Sequence, residues 1–168
     1  VPHSPWQNAA EASIREVKKN VRRTLRRTGA PLRLWAYCAT WCTTVRRLTA
    51  SSLTRLAGRT PEEHITGSTP DISALAMFDW YQPVYYWTPT VDFPNERKLL
   101  GRWLGIAESC TDDMAFTILT KSGTVVTRKS IWGLTTEELK DPTVLKRLKE
   151  LDDSIQQRIG DDTINVSD

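Results

Sequence analysis

Near the start of the chain, a carboxylate stands among cations and an amide at spacings that place them on one side of a helix. Gln7, Glu11, Arg15 and Lys18 follow one another at intervals of four, four and three, and residues three and four apart are neighbours on a helical surface. Ser4, with Gln7 three residues on, fits a capping box, and Pro5 takes the tolerated first helical position. The opposite stripe, Ala10, Ile14, Val17, Val21 and Leu25, is apolar at helical spacing. A carboxylate flanked in this way, on a helix whose other side is buried, suits a divalent metal ion working beside a phosphate backbone.

The same helix is dense in positive charge. Lys18, Lys19, Arg22, Arg23, Arg26 and Arg27 form two adjacent ridges at spacings of four, with Glu16 as the only acid among them. Like charges at that spacing repel by a few tenths of a kcal/mol per pair, so an anion would relieve them. Two readings stand: a solvated helix face, or a track for DNA or RNA phosphates. The distribution of charge along the chain bears on the choice. Residues 1–65 hold 12 Lys/Arg against 4 Asp/Glu, whereas residues 66–168 hold 11 against 16, within a net charge of +3. Such asymmetry points the basic half toward nucleic acid, and its composition also fits a nuclear-import signal.

The run Pro5-Trp6-Gln7-Asn8-Ala9-Ala10-Glu11-Ala12-Ser13-Ile14-Arg15 resembles the last catalytic motif of retroviral and retrotransposon integrases. In that family a Gln-Asn-x-x-Glu segment opens a helix and supplies the third acid of an Asp, Asp, Glu metal site. The resemblance implies Glu11 as a catalytic ligand of Mg²⁺ or Mn²⁺, and Gln7 as a contact to the DNA end. Arg15 and Lys18 match positions that carry DNA-contacting basic residues. Pro31-Leu32-Arg33-Leu34-Trp35-Ala36 and Thr60-Pro61-Glu62-Glu63 resemble segments that follow the glutamate in copia-like elements. Gly101-Arg102-Trp103-Leu104-Gly105-Ile106-Ala107 through Arg128-Lys129-Ser130 resembles what comes next in some of these polyproteins. The likeness covers roughly residues 2 to 133.

Both partner aspartates of that family lie upstream of the glutamate. No later pair here has a suitable context, since Asp112-Asp113 reads as a turn and Asp152-Asp153 as part of an acidic tail. A lone carboxylate holds Mg²⁺ poorly, because that ion keeps most of its waters and usually takes further ligands or substrate phosphates. The expectation is therefore one third of a metal site and no catalysis by this chain alone. No apolar run approaches the roughly 18 residues of a spanning helix, and no signal peptide is evident. Cys38, Cys42 and Cys110 are an odd, unpaired set that fits a reducing compartment, with Cys38 and Cys42 as buried structural thiols. His64, after Glu62 and Glu63, reads as a surface residue.

The punctuation predicts an α+β chain. A first helix runs from Pro5 to Thr28, with Gly29 closing it. A second runs from Pro31 to about Thr49 and carries Trp35 and Trp41 as core residues. From Thr69-Pro70 the character changes to short strands at Pro83–Trp87, Gly101–Ala107, Met114–Leu119, Val125–Arg128 and Ile131-Trp132, with a turn at Ser122-Gly123. Arg97, Lys98, Arg102, Arg128 and Lys129 supply cations and Tyr85, Tyr86, Trp87, Trp103 and Trp132 aromatics. Such a mixture could track a DNA backbone and stack on unpaired bases, while Trp103 and Trp132 are expected first in the core. Thr135 with Glu138 fits a second capping box. Asp141-Pro142 then opens a helix whose apolar face is Val144, Leu148, Leu151, Ile155 and Ile159. After Gly160 the run is polar and reads as a disordered tail.

With the resemblance, residues 1–67 become the C-terminal helices of an RNase H-like integrase core, 68–133 an SH3-like β-barrel, and 134–168 an amphipathic helix with its tail. The implied function is that of an integrase fragment that binds DNA through Arg15, Lys18, Lys19, Arg22, Arg23 and Arg26, with Arg102, Arg128 and Lys129 contributing from the barrel. The intact enzyme would be a Mg²⁺-dependent polynucleotidyl transferase. The alternative is a non-catalytic tether or assembly module of a retroelement polyprotein. Implied partners are DNA, further copies and other parts of the polyprotein, in the nucleus and in cytoplasmic particles, with no membrane and no small-molecule substrate.

Overall fold

The computed structural model describes residues 5–50, 56–89, 97–107 and 114–160, with side chains from residue 10 onward. Among these residues it is a mixed α+β chain with five α-helices and one five-stranded antiparallel sheet. They divide into two compact units. The first draws on Val1–Ala30 and Leu34–Ile72, the second on Pro31–Arg33 and Ser73–Asp168. Ser4, Asp92, Glu96, Glu108, Cys110, Asp112, Asp113 and the tail after Gly160 lie outside the described residues, as does the Gln7 side chain.

In the first unit, helix α1 spans Pro5–Thr28. It stops where Gly29 adopts a left-handed φ of 66° and donates its N–H to the Leu25 carbonyl at 3.0 Å. Helix α2 spans Trp35–Leu48; the turn expected to open it at Pro31 is instead a separate 3₁₀ turn, Leu32–Leu34, of which Leu34 alone belongs to this unit, the tighter form common at helix N-termini. Helix α3, Pro61–Thr66, is capped by Thr60, whose hydroxyl accepts from the Glu63 N–H at 3.0 Å. Arg47 of α2 reaches Glu62 of α3 at 3.5 Å. His64 is exposed, as expected.

Val21, Leu25, Leu34, Cys38, Cys42 and Leu56 form the buried centre of this unit. The Cys38 thiol donates to the Val21 carbonyl at 3.9 Å. Its hydrogen bond with Cys42, and then burial, push its pKa well above the usual thiol range. Burial fades toward the start of α1: Val17 is half-buried and Ile14 is 55% exposed. The 24 residues of α1 outrun the 14 of α2, about 36 Å against about 21 Å at 1.5 Å per residue. Trp35, expected in the core, is 62% exposed for a related reason: no described residue of this unit packs over the face it presents.

In the second unit, helix α4 (Ser73–Ala76) leads into strands β1 (Pro83–Trp87), β2 (Lys98–Ile106), β3 (Phe116–Thr120), β4 (Val125–Arg128) and β5 (Ile131–Gly133). Their order is β4-β3-β2-β1-β5, so β4 and β5 are the edges of an open sheet. Register sorts the side chains. Tyr85 faces Leu100 on β2 and Trp132 on β5, while Arg102 faces Leu119, and cross-strand partners share a sheet face. The other face carries Val84, Tyr86, Trp103, Ile118 and Ile131, all buried. Gly101 belongs to that packed face because a Cβ there would lie 2.6 Å from Ile118 Cγ2 and 2.8 Å from the Leu119 carbonyl oxygen. Trp103 is fully buried beside Phe78, with ring centroids 5.8 Å apart. Trp132, also expected in the core, is 47% exposed, because it lies on an edge strand that is covered on one side only.

Helix α5, Pro142–Ile159, is capped by Asp141, whose carboxylate accepts from the Thr143 N–H at 2.7 Å. Thr135 and Glu138 exchange the two bonds of a capping box, at 2.8 and 3.2 Å, ahead of it. Leu148, Leu151 and Ile155 are its buried stripe. Asp152 fastens the helix to the sheet: its Oδ1 accepts from Arg102 Nε at 3.0 Å and Nη2 at 2.7 Å, and its Oδ2 from Nη2 at 2.5 Å. Arg102 Nη1 donates to the Tyr81 carbonyl at 3.1 Å, and the guanidinium lies 4.9 Å from the centre of the Tyr81 ring. Tyr81 itself holds a left-handed φ of 67°, fixed by its N–H donating to the Trp103 carbonyl at 2.8 Å.

Two outcomes follow. Gly101→Ala should destabilise this unit by about 1–3 kcal/mol through overpacking, read as a lowered urea midpoint for loss of near-ultraviolet circular dichroism. Burial pushes the Tyr81 hydroxyl up to about 12, against the opposing pull of Arg102. Its contribution to stability is therefore present below the unfolded tyrosine pKa of about 10 and is lost as pH climbs through the folded value. Absorbance titration should show a tyrosine ionising near pH 12 that is absent from Tyr81→Phe.

Candidate nucleic-acid interface

The length of α1 and the short reach of its neighbours leave one long side of this helix to solvent. Arg15, Lys18, Lys19, Arg22, Arg23 and Arg26 are all exposed there and line an open trough of about 530 Å³. Every described lining residue is a cation. Among the described residues none of the six has a carboxylate within ion-pair distance. A continuous α-helix holds these charges at fixed intervals, which suits a polyanion whose charges also recur regularly.

Glu11 is exposed on the same helix, one turn before Arg15. Among the described residues no three His, Cys, Asp or Glu side chains converge on a common point. Glu11 therefore offers one hard oxygen donor, of the type Mg²⁺ prefers, without companions from the described part of the chain. Gln7 lies in the first turn of α1.

The second side of α1 bears an apolar groove of about 610 Å³ between α1 and α2. Ile14, Val17, Val21, Leu25, Trp35 and Ala39 floor it, and Lys18, Arg22 and Arg46 stand at its margin. Lys18 and Arg22 thus border both the basic trough and this groove. The sequence marks the α1 stripe by its 3.6-residue period, but it gives no sign that Trp35 completes it from another helix.

The cations expected on the sheet sit differently. Arg102 has 13% of its side chain exposed and spends its guanidinium on Asp152 and Tyr81. Asp152 lies fifty residues away on α5, so no local pattern pairs the two. Arg128, on β4, donates from Nη1 to the Thr127 carbonyl at 2.8 Å. Lys129 is exposed in the connection between β4 and β5. Arg97 and Lys98, also exposed, lie over aromatic rings: Arg97 5.7 Å from the centre of Trp87, Lys98 3.9 Å from that of Tyr85.

No protein-family model, curated protein or solved structure matches this chain.

Repulsion along the trough has a measurable consequence. Near 1 M salt, where the Debye length is about 3 Å, screening should raise the thermal midpoint of the helical unit. Arg22→Glu places an acid one turn from Lys18 and Arg26. It should gain a few tenths of a kcal/mol at low salt and show a flatter salt dependence, followed by far-ultraviolet circular dichroism.

Proposed function

We propose that this chain is the C-terminal part of a retroelement integrase of the copia-like or retroviral type, which docks on DNA through the basic side of α1. The observation that carries the reading is the trough of six cations on the same helix as Glu11. Within it, Arg15, Lys18, Lys19, Arg22, Arg23 and Arg26 bind phosphates and set register without reading base sequence. In this reading α1 and α2 are the closing helices of an RNase H-like core, and the five-stranded sheet is an SH3-like barrel. The uncovered apolar groove supports the first assignment, since that core would lay its own sheet there. Five short antiparallel strands in sequence, with β5 returning to pair with β1, support the second.

Glu11 would supply one oxygen ligand to Mg²⁺ or Mn²⁺, and two carboxylates of a longer polypeptide would supply the others. When bound, such an ion acts as a Lewis acid toward the phosphate oxygens of a strand-transfer reaction. Gln7 would lie next to the same DNA end, one turn before Glu11. By itself the chain would bind DNA and catalyse nothing. The second reading, a non-catalytic tether or assembly module, is favoured by the exposure of Trp35 and Ile14, an apolar surface suited to protein contact.

Fluorescence anisotropy with a labelled duplex, repeated over a range of salt, separates these from a solvated helix face. Each phosphate neutralised adds about −0.9 to the slope of log affinity against log salt. A slope of about −3 or steeper, flattened in a Lys18→Glu, Arg22→Glu, Arg26→Glu variant, is the expected result. Equal binding by that well-folded variant would remove α1 as the DNA track.

A further inference from the structure

The aromatic residues of the strand region are not all used as core. Trp80, Trp103, Tyr85 and Tyr86 are buried, whereas Trp87 is 42% exposed and Trp132 47%. These two indoles share a surface. Tyr85 is the cross-strand partner of Trp132, and Trp87, two residues farther along β1, points to the same face. Trp87 and Trp132 are therefore diagonal neighbours, about 7–8 Å apart by backbone spacing and within reach of large rings. Lys98 joins them as the cross-strand partner of Trp87.

Among the described residues no carboxylate forms an ion pair with Arg97 or Lys98. Arg97 is held over Trp87 and Lys98 over Tyr85 by the faces of the rings, an attraction that leaves the positive charge whole. Among the described acids Glu138 acts on Lys98, and its carboxylate already accepts from the Thr135 N–H at 2.8 Å. Two half-exposed indoles flanked by two exposed cations offer flat apolar faces and phosphate contacts together. Duplex DNA, whose bases are stacked and paired, could use only the cations.

We propose that Trp87, Trp132, Arg97 and Lys98 form a docking corner for unpaired nucleic acid, with bases stacking on the indoles and phosphates meeting the cations. The proposal rests on the nucleic-acid reading of the chain but uses no residue of α1. Its ligand chemistry is that of a single strand, tolerant of sequence because every base has a π face. Arg97 contributes twice, since a guanidinium plane stacks on bases as well as pairing with phosphate.

The test uses the whole chain carrying Lys18→Glu, Arg22→Glu and Arg26→Glu, so that the α1 trough is silent. A labelled oligothymidylate and a duplex of equal length are titrated against it by anisotropy. The oligothymidylate should still bind, more tightly than the duplex. Adding Trp87→Ala and Trp132→Ala should weaken it at least about tenfold, given the usual loss per stacked base, and Trp87→Phe with Trp132→Phe should restore most of that. Arg97→Glu with Lys98→Glu should weaken it too, with a shallower salt slope. Because both indoles are half-exposed, unchanged near-ultraviolet dichroism of the other aromatics is the check on folding. Loss of all oligothymidylate binding in the α1 background, equal affinity for duplex, or no effect of the alanine pair would each overturn the proposal. So would preferential capture of a proline-rich peptide by the same corner. Failure of the α1 reading shows separately, as duplex affinity indifferent to the three α1 reversals.

Discussion

Six cations confined to one side of a single helix repel one another and cannot all be relieved from within that helix. Everything distinctive about the first unit turns on this. Helix α1 keeps its shape because its other stripe packs at Val21 and Leu25 against α2, so the cost of the like-charge ridge is met by burial elsewhere on the same element. An α-helix cannot relax by moving its charges apart, since 1.5 Å per residue and 3.6 residues per turn fix their separation. The ridge therefore remains a standing field that an external polyanion can satisfy. Lys18 and Arg22 carry that field to the margin of the apolar groove, so the charged and apolar sides of α1 are not independent surfaces.

The second unit solves the same problem in the opposite way. Arg102 is a cation on a sheet face, and its charge is consumed internally by Asp152 and by the carbonyl and ring of Tyr81. This geometry ties α5 to β2, and a bidentate guanidinium–carboxylate pair is directional enough to set the angle of that helix. Among the described residues Arg97 and Lys98 make no comparable acid contact. One unit thus displays charge along a rod, while the other displays a small aromatic corner with charge at its rim.

These arrangements give the integrase-fragment reading a physical division of labour. A rigid basic helix suits the regular backbone of a duplex. Flat exposed rings suit bases that have left the stack. In that reading Glu11, one turn ahead of the first cation of the trough, would bring a metal-bound phosphate next to the tracked backbone.

The sequence by itself determined much of the local structure. Pro5 and Gly29 bound α1, Thr60 caps α3, the Thr135–Glu138 pair and Asp141 lead into α5, and the strand runs from Pro83 to Gly133 fall close to their expected places. Those signals are short-range, because caps, turns and periodicity act over four residues or fewer. The sequence likewise placed the basic ridge on one side of α1, since helical spacing alone decides it. It did not determine which aromatics are buried. Trp103 and Trp132 look alike in the chain, yet one fills the packed face of a central strand and the other lies on an edge strand open to water. Nor did it reveal that Arg102 is held by a carboxylate fifty residues away, or that Trp35 lies open beside Ile14. Each depends on which surfaces meet in three dimensions, and that was decided only when strand order and helix length set what is covered and what is left bare.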